Sequence, residues 1–523
     1  MRLQLSFLLL FLRADAFKFL VYNPIWSQSH TNFLVKLSEV LVEAGHEVVM
    51  LAPIVDAGLP DIRKVARVTK VITVPPCSAS LAFSESRRGG ATSSSWASKS
   101  MIKSLQHSVR FNDVWHAQCN ATLNHPGLLE SLEAERFDAA FLEPFDMCGY
   151  GIIHKIGIQS VAATLSIGSY EGTFDFTGLP SFPSYVPGMM MQFGDRMSFF
   201  ERVLNTLSLG IGQYLFPYFQ LPTERILQDQ FGENFPSLRQ MKQETSLWFL
   251  NAEPLIEFPR PIVHKMIDIG GITVSESHKQ LNETWSLIMD LRPKTVLISF
   301  GTVAKSYLMP DSYKRTIVDV IRKFPTVTFI WKYEKPEDKI SEGIPNLIEA
   351  TWLPQIDLLY DPRLSLFVTH CGQGSTIEAT TAGVPLIVVP IVGDQKRNAA
   401  VINRIGTGIV IEKQSLEDVE ILETTLRSAL TDSRYREKAR AVGEMIRHRP
   451  FSSRETFVKN MEFLARFGPL RMLDHYGREM SFIQYYLIDV FAFLIGIVLT
   501  VVFLFFNVVK LCFCQRNVKS KTE

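Results

Sequence analysis

The chain contains 523 residues, more than one hydrophobic core usually supports, so we expect two domains of about 200 to 250 residues each. Its formal net charge is only +1, because 54 Lys and Arg residues are balanced by 53 Asp and Glu residues. No dense basic run is interleaved with aromatic side chains, and the composition therefore argues against nucleic acid as a partner.

The amino terminus has the layout of a secretory signal peptide. Arg2 precedes a short apolar run, residues 3–12, and the small residues Ala14 and Ala16 follow with the spacing of a cleavage site. We therefore expect residues 1–16 to be a cleaved signal peptide.

The carboxyl terminus contains a predicted membrane span. Residues 485–509 are almost wholly apolar and long enough to cross a bilayer once. The basic side chains that follow closely are Lys510, Arg516, Lys519 and Lys521. The positive-inside bias then places the tail, residues 510–523, in the cytosol and everything before the span in the lumen, as in a type I membrane protein.

The last residues of the tail carry a further signal. Lys519 and Lys521 lie in a register at the carboxyl end that resembles the dilysine tail of endoplasmic-reticulum residents. The positive-inside bias alone explains the two charges but not their register. We therefore predict the endoplasmic reticulum membrane, with the amino-terminal part of the chain in the lumen.

This topology has two consequences for the luminal side chains. Asn120 and Asn282 each begin an Asn-x-Thr sequon and would be exposed to glycosylation. The cysteines before the span are too few for a disulfide-built fold but allow one or two bridges; they are Cys77, Cys119, Cys148 and Cys371.

The mature chain begins with a predicted strand–helix–strand unit. Strands over residues 17–22 and 46–51 flank a helix from about residue 31 to 44. The loop before the helix, residues 23–30, is polar, ends in His30 and falls at the carboxyl edge of the sheet, where parallel α/β folds bind ligands. We therefore predict a binding loop that carries His30.

The rest of the first half continues the α/β pattern. Strands are predicted over residues 137–142 and 159–165, and the first of them ends at Glu143. Residues 79–103 are Ser-rich and lack a clear period, which predicts an exposed loop outside the core. Residues 199–221 are helical in character but interrupted by glycines and a proline, and we interpret them as an insertion on the acceptor side.

The second half is predicted to begin with a new set of strands near Leu247. The Pro-rich residues 254–261 suit a connection between domains. We therefore predict one domain over residues 17–250 and a second over residues 251–475.

One uninterrupted stretch in the second half, residues 364–400, contains a Gly-rich turn. Predicted strands over residues 364–369 and 386–391 flank a helix with Ser375 and Thr376 as candidate caps. The free N–H groups and the positive dipole end of this helix favour an anion, and we predict a phosphate.

Polar groups that bind hydroxyls surround the same turn. Glu378 lies in the first turn of the helix, and Asp394 and Gln395 follow the next strand. Both sets fall at the carboxyl edge of the predicted sheet. A phosphate site beside a polyol site indicates a nucleotide sugar.

Five short motifs in this region resemble the signature of the UDP-glucuronosyltransferases, the membrane-bound UDP-glycosyltransferases. They are Trp352-Leu353-Pro354-Gln355, Phe367-Val368-Thr369-His370-Cys371-Gly372, Ile377-Glu378-Ala379, Gly383-Val384-Pro385 and Asp394-Gln395. The resemblance implies an α/β fold with two facing Rossmann-like domains of the GT-B type. It further implies that the first domain binds a lipophilic acceptor, that the second binds a UDP-sugar, and that transfer inverts the anomeric carbon.

The resemblance also assigns donor contacts residue by residue. Trp352 would cover the uracil, Gln355 would contact the uridine, and Glu378 would bind the ribose hydroxyls. The groups expected at the diphosphate are His370, Thr302, Gly372, Gly374, Ser375 and Thr376, and those expected at the sugar hydroxyls are Asp394 and Gln395. No Asp-x-Asp motif occurs and the histidines lack ligand spacing, so we expect neither a metal nor a cofactor, the UDP-sugar being a co-substrate.

His30 falls where the family has its catalytic base, here in the pair Ser29-His30. A neutral imidazole suits the deprotonation of an acceptor hydroxyl, and a buried carboxylate can orient it. Glu143 stands where the family often has an aspartate, and the nearby Asp146 is the alternative partner. A second departure is Cys371, where many relatives have glycine.

Together these features predict an inverting UDP-glycosyltransferase with a small lipophilic acceptor, a reaction typical of detoxification. The sugar is glucuronate or glucose, because Lys332 offers a cation for a carboxylate but is a weaker bidentate clamp than the arginine frequent in the family. The competing hypothesis is a membrane-anchored UDP-sugar-binding protein without catalysis. The sequence leaves a homo-oligomer open.

Overall fold

The structure, a computed structural model, describes residues 16–88, 96, 101–168, 177–274 and 280–519. Residues 1–15 of the predicted signal peptide and Lys521 of the predicted tail signal lie outside the described residues. The chain divides into two compact units, Met1–Leu473 and Asp474–Glu523.

The first half is built on a sheet of seven parallel strands. They are β1 (Lys18–Tyr22), β2 (Glu47–Pro53), β3 (Lys70–Val74), β4 (Ala139–Leu142), β5 (Val161–Leu165), β6 (Leu247–Leu250) and β7 (Met266–Asp268). Their order in the sheet is β3-β2-β1-β4-β5-β6-β7. The winding reverses between β1 and β4, so the carboxyl ends of these two strands border the crevice in which such folds bind ligands.

Helices cover both faces of this sheet. They are α1 (Gln28–Glu43), α2 (Ile62–Val65), α3 (Ser78–Arg88), α4 (Met101–Leu123), α5 (Leu128–Ala134), α6 (Cys148–Lys155), α7 (Phe199–Phe231) and α8 (Leu238–Gln243). Alternate residues of β1 enter two different cores, because side chains along a strand point to opposite faces. Phe19 and Val21 belong to one core, and Leu20 and Tyr22 belong to the other.

The second half is built on six parallel strands. They are β8 (Lys294–Ser299), β9 (Val327–Lys332), β10 (Leu347–Ala350), β11 (Leu364–Thr369), β12 (Leu386–Val388) and β13 (Gly408–Val410), in the order β10-β9-β8-β11-β12-β13. The accompanying helices are α9 (Glu283–Asp290), α10 (Asp311–Arg322), α11 (Gln355–Tyr360), α12 (Gln373–Ala382), α13 (Gln395–Ile405), α14 (Val419–Thr431), α15 (Ser433–Arg447) and α16 (Ser453–Phe467). The winding reverses between β8 and β11, which confirms the predicted α/β fold with two parallel sheets.

The first sheet extends further along the chain than the sequence predicted. A second set of strands does not begin near Leu247, because β6 pairs with β5 and β7 pairs with β6. The predicted boundary after residue 250 therefore falls inside the first sheet, and the Pro-rich residues 254–261 connect two of its strands. The first strand of the second sheet begins at Lys294.

Helix α16 returns to the first half and packs against its sheet. Phe457 is fully buried, and its ring lies 5.8 Å from that of Phe141 and 4.9 Å from that of Phe249, measured between centroids. Its neighbours Met461 and Leu464 belong to the same core. The first half is therefore completed by residues that follow the second half in the chain.

Where the structure describes the Ser-rich stretch over residues 79–103, it differs from the exposed loop that the sequence predicted. Helix α3 includes residues 79–88, and the buried Ser84 donates from Oγ to the backbone oxygen of Ser80 at 2.8 Å. Trp96 is 2% exposed and packs against Phe300 of the second half. Residues 89–95 and 97–100 lie outside the described residues.

Helix α7 is continuous over 33 residues, although the sequence shows Gly210, Gly212 and Pro217 within it. A capping box at Ser198 and Glu201 begins the helix and satisfies two of its free amides. The segment that the sequence predicted as interrupted is therefore one continuous helix.

The free and bridged cysteines can be assigned within the described residues. A disulfide joins Cys119 in α4 to Cys148 in α6, and Cys77 and Cys371 are free thiols. The sequence allowed one or two bridges, and the structure forms one among these four.

The second unit contains a short helix, α17 (Phe482–Tyr485), and a long helix, α18 (Ile488–Lys519). Leu487 adopts a positive φ of 55°, which separates the two helices, so the span predicted to begin at residue 485 begins a few residues later. Residues Ile488–Leu511 have a mean hydropathy of 2.8 and are long and apolar enough to cross a membrane. No other helix in the described ranges meets that criterion.

Candidate active site

His30 contacts Glu143 at the crevice between β1 and β4. It is the third residue of α1, so the helix begins earlier than predicted and His30 lies in its first turn rather than in the preceding loop. His30 Nδ1 lies 2.7 Å from Glu143 Oε2, and Glu143 is 3% exposed. A carboxylate accepts only from a protonated nitrogen, so Nδ1 carries the proton and Nε2 keeps its lone pair.

Aromatic rings hold the His30 imidazole from two sides. The Trp26 ring lies 4.3 Å from the imidazole, and the Phe145 ring meets it edge-on at 5.2 Å, both between centroids. Phe111 and Trp115 pack against Trp26 and extend this apolar surface. The imidazole is therefore fixed in orientation beside an aromatic wall.

Asp146, the alternative partner of His30 in the sequence, makes other contacts. Its Oδ2 accepts from the Tyr22 hydroxyl at 2.7 Å, and its Oδ1 accepts from the Cys148 backbone N–H at 3.0 Å. Burial raises the pKa of Asp146 to about 6. The longer side chain of Glu143 is thus the carboxylate at His30.

Ser166 is a site residue that the sequence analysis missed. Its backbone N–H donates to Glu143 Oε1 at 2.7 Å, and its Oγ lies 2.9 Å from His30 Nδ1. Ser166 directly follows β5, the neighbour of β4 in the sheet. Its place as the first polar residue after a buried strand is the signal that could have identified it.

The Gly-rich turn after β11 leads directly into α12. The N-cap of this helix is Gly372 and no side chain caps it, so Ser375 and Thr376 lie inside the first turn instead of capping it as predicted. Thr376 donates from Oγ1 to the Gly372 oxygen at 3.0 Å. Without a side-chain cap, the first backbone N–H groups of α12 can bind an anion.

His370 is neutral near physiological pH. Burial, with a smaller effect of the nearby Lys332 ammonium, lowers the pKa of His370 to about 4. Its imidazole lies between two glycines, because a Cβ built on Gly301 or Gly372 would come within 2.6 or 2.7 Å of the ring. Gly301 also has φ +78°, which favours glycine on its own account.

Lys332, the candidate cation for a sugar carboxylate, is partly engaged within the protein. Its Nζ donates to the Gly301 backbone oxygen at 2.7 Å and lies 4.0 Å from Glu334. Burial lowers the pKa of Lys332. The ammonium therefore supports the loop after β8, which carries the exposed Thr302.

Two of the three residues predicted at the nucleoside, Gln355 and Glu378, are hydrogen-bonded to each other. Gln355 Nε2 donates to Glu378 Oε2 at 2.7 Å and to Ser375 Oγ at 3.1 Å. Burial raises the pKa of Glu378 to about 7. Trp352, expected to cover the uracil, is 70% exposed and presents a large free surface.

The residues predicted at the sugar differ in what they leave free. Gln395 Oε1 accepts from the backbone N–H groups of Ile391 and Val392 at 2.8 and 2.9 Å, so only its amide N–H group is left for a hydroxyl. Burial raises the pKa of Asp394, while the hydrogen bond from Asn398 and, to a smaller extent, the proximity of His30 act in the opposite direction. Asp394 and His30 therefore lie within electrostatic range of each other across the two halves.

Cys371 adopts a backbone conformation that favours glycine, with a φ of 64°. Its Sγ lies 3.2 Å from Thr376 Oγ1, and Asn398 donates to its backbone oxygen at 3.0 Å. Burial raises the pKa of the Cys371 thiol to about 12, so the thiol stays protonated.

The two parallel sheets, with an uncapped helix start on one and a histidine–carboxylate pair on the other, have the GT-B fold found in glycosyltransferases. The structure of Phytolacca americana UGT2 complexed with UDP-2fluoro-glucose and pterostilbene has a TM-score of 0.58 at 14% identity, covering 86% of this chain and 100% of that one. The calicheamicin glycosyltransferase CalG4 has a TM-score of 0.57 at 15% identity, covering 87% and 100%. At these identities the likeness shows the fold alone.

The chain belongs to the UDP-glucoronosyl and UDP-glucosyl transferase family, whose family model matches residues 19–523. A putative UDP-glucuronosyltransferase of Caenorhabditis briggsae is 28% identical, over 92% of this chain and 91% of that protein. UDP-glucuronosyltransferase 1A9 of Mus musculus is 27% identical, over 95% and 94%. The chain is therefore a UDP-glycosyltransferase with a UDP-sugar donor.

We predict that Gly372→Ala weakens donor binding. The new Cβ would come within 2.7 Å of His370 Nε2 and must displace the imidazole. Gly210→Ala in α7 is the control, because nothing lies within 4 Å of a Cβ built there and the residue has no predicted part in donor binding. Titration of each variant with UDP should show loss of affinity for the first and parental affinity for the second, and equal affinities would contradict the predicted role of His370.

We predict that donor affinity depends on pH through Glu378, whose pKa burial raises to about 7. A ribose hydroxyl that donates to the carboxylate favours the ionised form, so affinity should fall as the pH drops below about 7. Glu378→Gln cannot ionise, and its weaker affinity should stay constant over the same range. Calorimetry with UDP-glucose checks this, and parallel pH dependences for parent and variant would exclude the assignment.

Proposed function

We propose that the protein transfers glucuronate or glucose from a UDP-sugar to a hydroxyl of a small lipophilic acceptor, with inversion and with His30 as the base. The observation that carries the proposal is the contact of 2.7 Å between His30 Nδ1 and the buried Glu143 carboxylate. This contact leaves Nε2 unprotonated, as a general base requires. The proximity of His30 to Asp394 adds support, since the base must face the sugar.

The proposed reaction assigns a separate task to each half. The acceptor hydroxyl loses its proton to His30 Nε2 while its oxygen attacks the anomeric carbon from the face opposite UDP. Glu143 stabilises the imidazolium that forms. The bond from the anomeric carbon to the UDP oxygen breaks, and the amino end of α12 and the neutral His370 stabilise the negative charge on the departing UDP.

The aromatic wall beside His30 supports a lipophilic acceptor. Trp26 and Phe145 contact the imidazole, and Phe111 and Trp115 pack against Trp26. A ring-containing acceptor can pack on this apolar surface. Phytolacca americana UGT2 is complexed with UDP-2fluoro-glucose and pterostilbene. These observations favour a small aromatic or apolar alcohol.

The donor sugar is proposed as glucuronate or glucose. A glucuronate carboxylate needs a cation, but the Lys332 ammonium already donates to the Gly301 oxygen and lies 4.0 Å from the Glu334 carboxylate. This competition favours UDP-glucose at least as much as UDP-glucuronate. A transfer assay in which the two donors compete for one acceptor decides between them, and strict preference for UDP-glucuronate would overturn this weighting.

We further propose a single span at α18, with the two large domains in the lumen of the endoplasmic reticulum. Its support is the apolar stretch Ile488–Leu511 and the basic residues after it. An apolar acceptor concentrates in a bilayer, which suits a membrane-anchored enzyme. Asn120 and Asn282 are both exposed and would be glycosylated on that side.

We predict that His30→Ala abolishes transfer while UDP affinity stays near that of the parent. UDP affinity should persist because His30 belongs to the first half, whereas the residues expected to bind the nucleotide belong to the second. Transfer should be lost because general base catalysis contributes about 10²–10⁴-fold. Membranes incubated with labelled UDP-glucose or UDP-glucuronate and a panel of phenols provide the measurement. Glu143→Asp serves as the conservative control, since it keeps the carboxylate on a shorter side chain.

Two outcomes would contradict this mechanism. Residual activity of His30→Ala above about a tenth of the parent would exclude His30 as the base. Binding of the UDP-sugar by the parent without any transfer would instead favour the competing hypothesis of a binding protein that has lost catalysis.

We predict that the double variant Lys519→Ser and Lys521→Ser leaves the endoplasmic reticulum. The two lysines supply the proposed retrieval register, and serine removes both charges. The measurement is the processing of the glycans at Asn120 and Asn282 in a tagged full-length protein. Glycans that stay as immature as those of the parent would show that the tail is not the retention signal.

A further inference from the structure

Three hydrogen bonds connect the turn before α12 to the histidine–glutamate pair of the first half. Gln373, the first residue of α12, donates from Nε2 to the backbone oxygen of Asn251 at 2.7 Å. Asn251 donates from Nδ2 to the backbone oxygen of Ser166 at 2.8 Å. Ser166 Oγ then lies 2.9 Å from His30 Nδ1. The series runs from the proposed diphosphate site to the proposed base.

Ser166 contacts both members of the pair. Its backbone N–H donates to Glu143 Oε1, and its hydroxyl oxygen accepts, together with Glu143 Oε2, from His30 Nδ1–H. Two acceptors at one N–H group restrict the rotation of the imidazole more than one acceptor does. Ser166 therefore adds a constraint on the direction in which Nε2 points, beside those from Glu143 and the two rings.

Asn251 bonds to both Gln373 and Ser166, and it is itself buried and held in place by its backbone. It is 3% exposed and directly follows β6, and its backbone N–H donates to the Leu165 oxygen at 2.8 Å. Buried hydrogen bonds in a region of low dielectric constant are stronger than exposed ones. Asn251 is therefore a buried, hydrogen-bonded connection between Gln373 and Ser166.

We propose that Ser166 is a positioning residue for His30 and Glu143, and that Asn251 and Gln373 link its position to the turn that binds the donor diphosphate. The inference rests on the proposed function, because it requires His30 to be the base. It assigns Gln373, a residue of the donor half, an effect on turnover that acts through the acceptor half. The side chain of Gln373 thus affects turnover, whereas its backbone N–H is one of the free groups at the start of α12.

The first test is Ser166→Ala in the full-length protein, with para-nitrophenol and the UDP-sugar that the parent turns over. Loss of one hydrogen bond predicts a fall in kcat of about three- to tenfold at unchanged donor KM. The acid limb of the pH–rate profile should move to lower pH, because the imidazolium loses an acceptor. Ser166→Thr keeps the hydroxyl and should restore both kcat and the limb.

The second test concerns the link to the donor half. Gln373→Ala should lower kcat in the same direction, and the double variant with Ser166→Ala should be no slower than Ser166→Ala alone, because both changes act on one path. Gln192→Ala is the matched control. Gln192 Nε2 also donates across the two halves, to Glu412 Oε1 at 2.9 Å, but this bond does not touch the pair. Its kcat and pH profile should equal those of the parent.

UDP affinity, measured for every variant, establishes that each one is folded. If Ser166→Ala matches the parent in kcat and acid limb while His30→Ala is inactive, the positioning role is overturned and the base assignment stands. If His30→Ala keeps full activity, both are overturned. Multiplicative losses in the double variant would overturn the link from Gln373.

Discussion

The buried carboxylate of Glu143 is the group on which the acceptor side of the site depends. An anion at 3% exposure is stable only when donors surround it. Its two oxygens receive one donor each, the Ser166 N–H and the His30 Nδ1–H. That requirement assigns the proton of the neutral imidazole to Nδ1, and it leaves Nε2 as the atom able to accept a proton. The electrostatic cost of burying the carboxylate is thus what selects the tautomer.

The segment after β6, residues 251–258, joins the two halves more firmly than a linker would. Asn251 receives the Gln373 side chain, Glu253 pairs with Arg449 at 2.8 Å, and Glu257 pairs with Arg397 at 2.6 Å. Burial alone would raise the pKa of Glu257, but the neighbouring guanidinium groups hold it below the ordinary value. The prolines in this segment predict a connection between domains. In the structure the segment forms a buried contact surface, because Glu253 and Glu257 pair with arginines of the other half.

Residues at strand ends were predictable from the sequence, because parallel strands end at a common edge. This reasoning places His30, Glu143 and His370 near functional crevices from the sequence alone. It could not choose between Glu143 and Asp146, since both follow the same strand and only the packing of Tyr22 against Asp146 separates them. The sequence likewise does not predict that β6 and β7 belong to the first sheet, because an apolar run does not specify its distant pairing partner. Cross-half contacts such as that of Asn251 arise only from folding.

Stabilisation of the departing UDP cannot rest on a titrating cation at the turn. Burial lowers the pKa of His370 to about 4, so its imidazole acts as a neutral hydrogen-bonding group near physiological pH. The Lys332 ammonium is shared with the Gly301 oxygen, and burial lowers its pKa as well. The remaining positive potential is that of the amino end of α12, which opens at Gly372 without a side-chain cap. A helix dipole does not titrate. At saturating donor, the pH dependence of turnover therefore reports on the acceptor side of the site, where the proposed base is held.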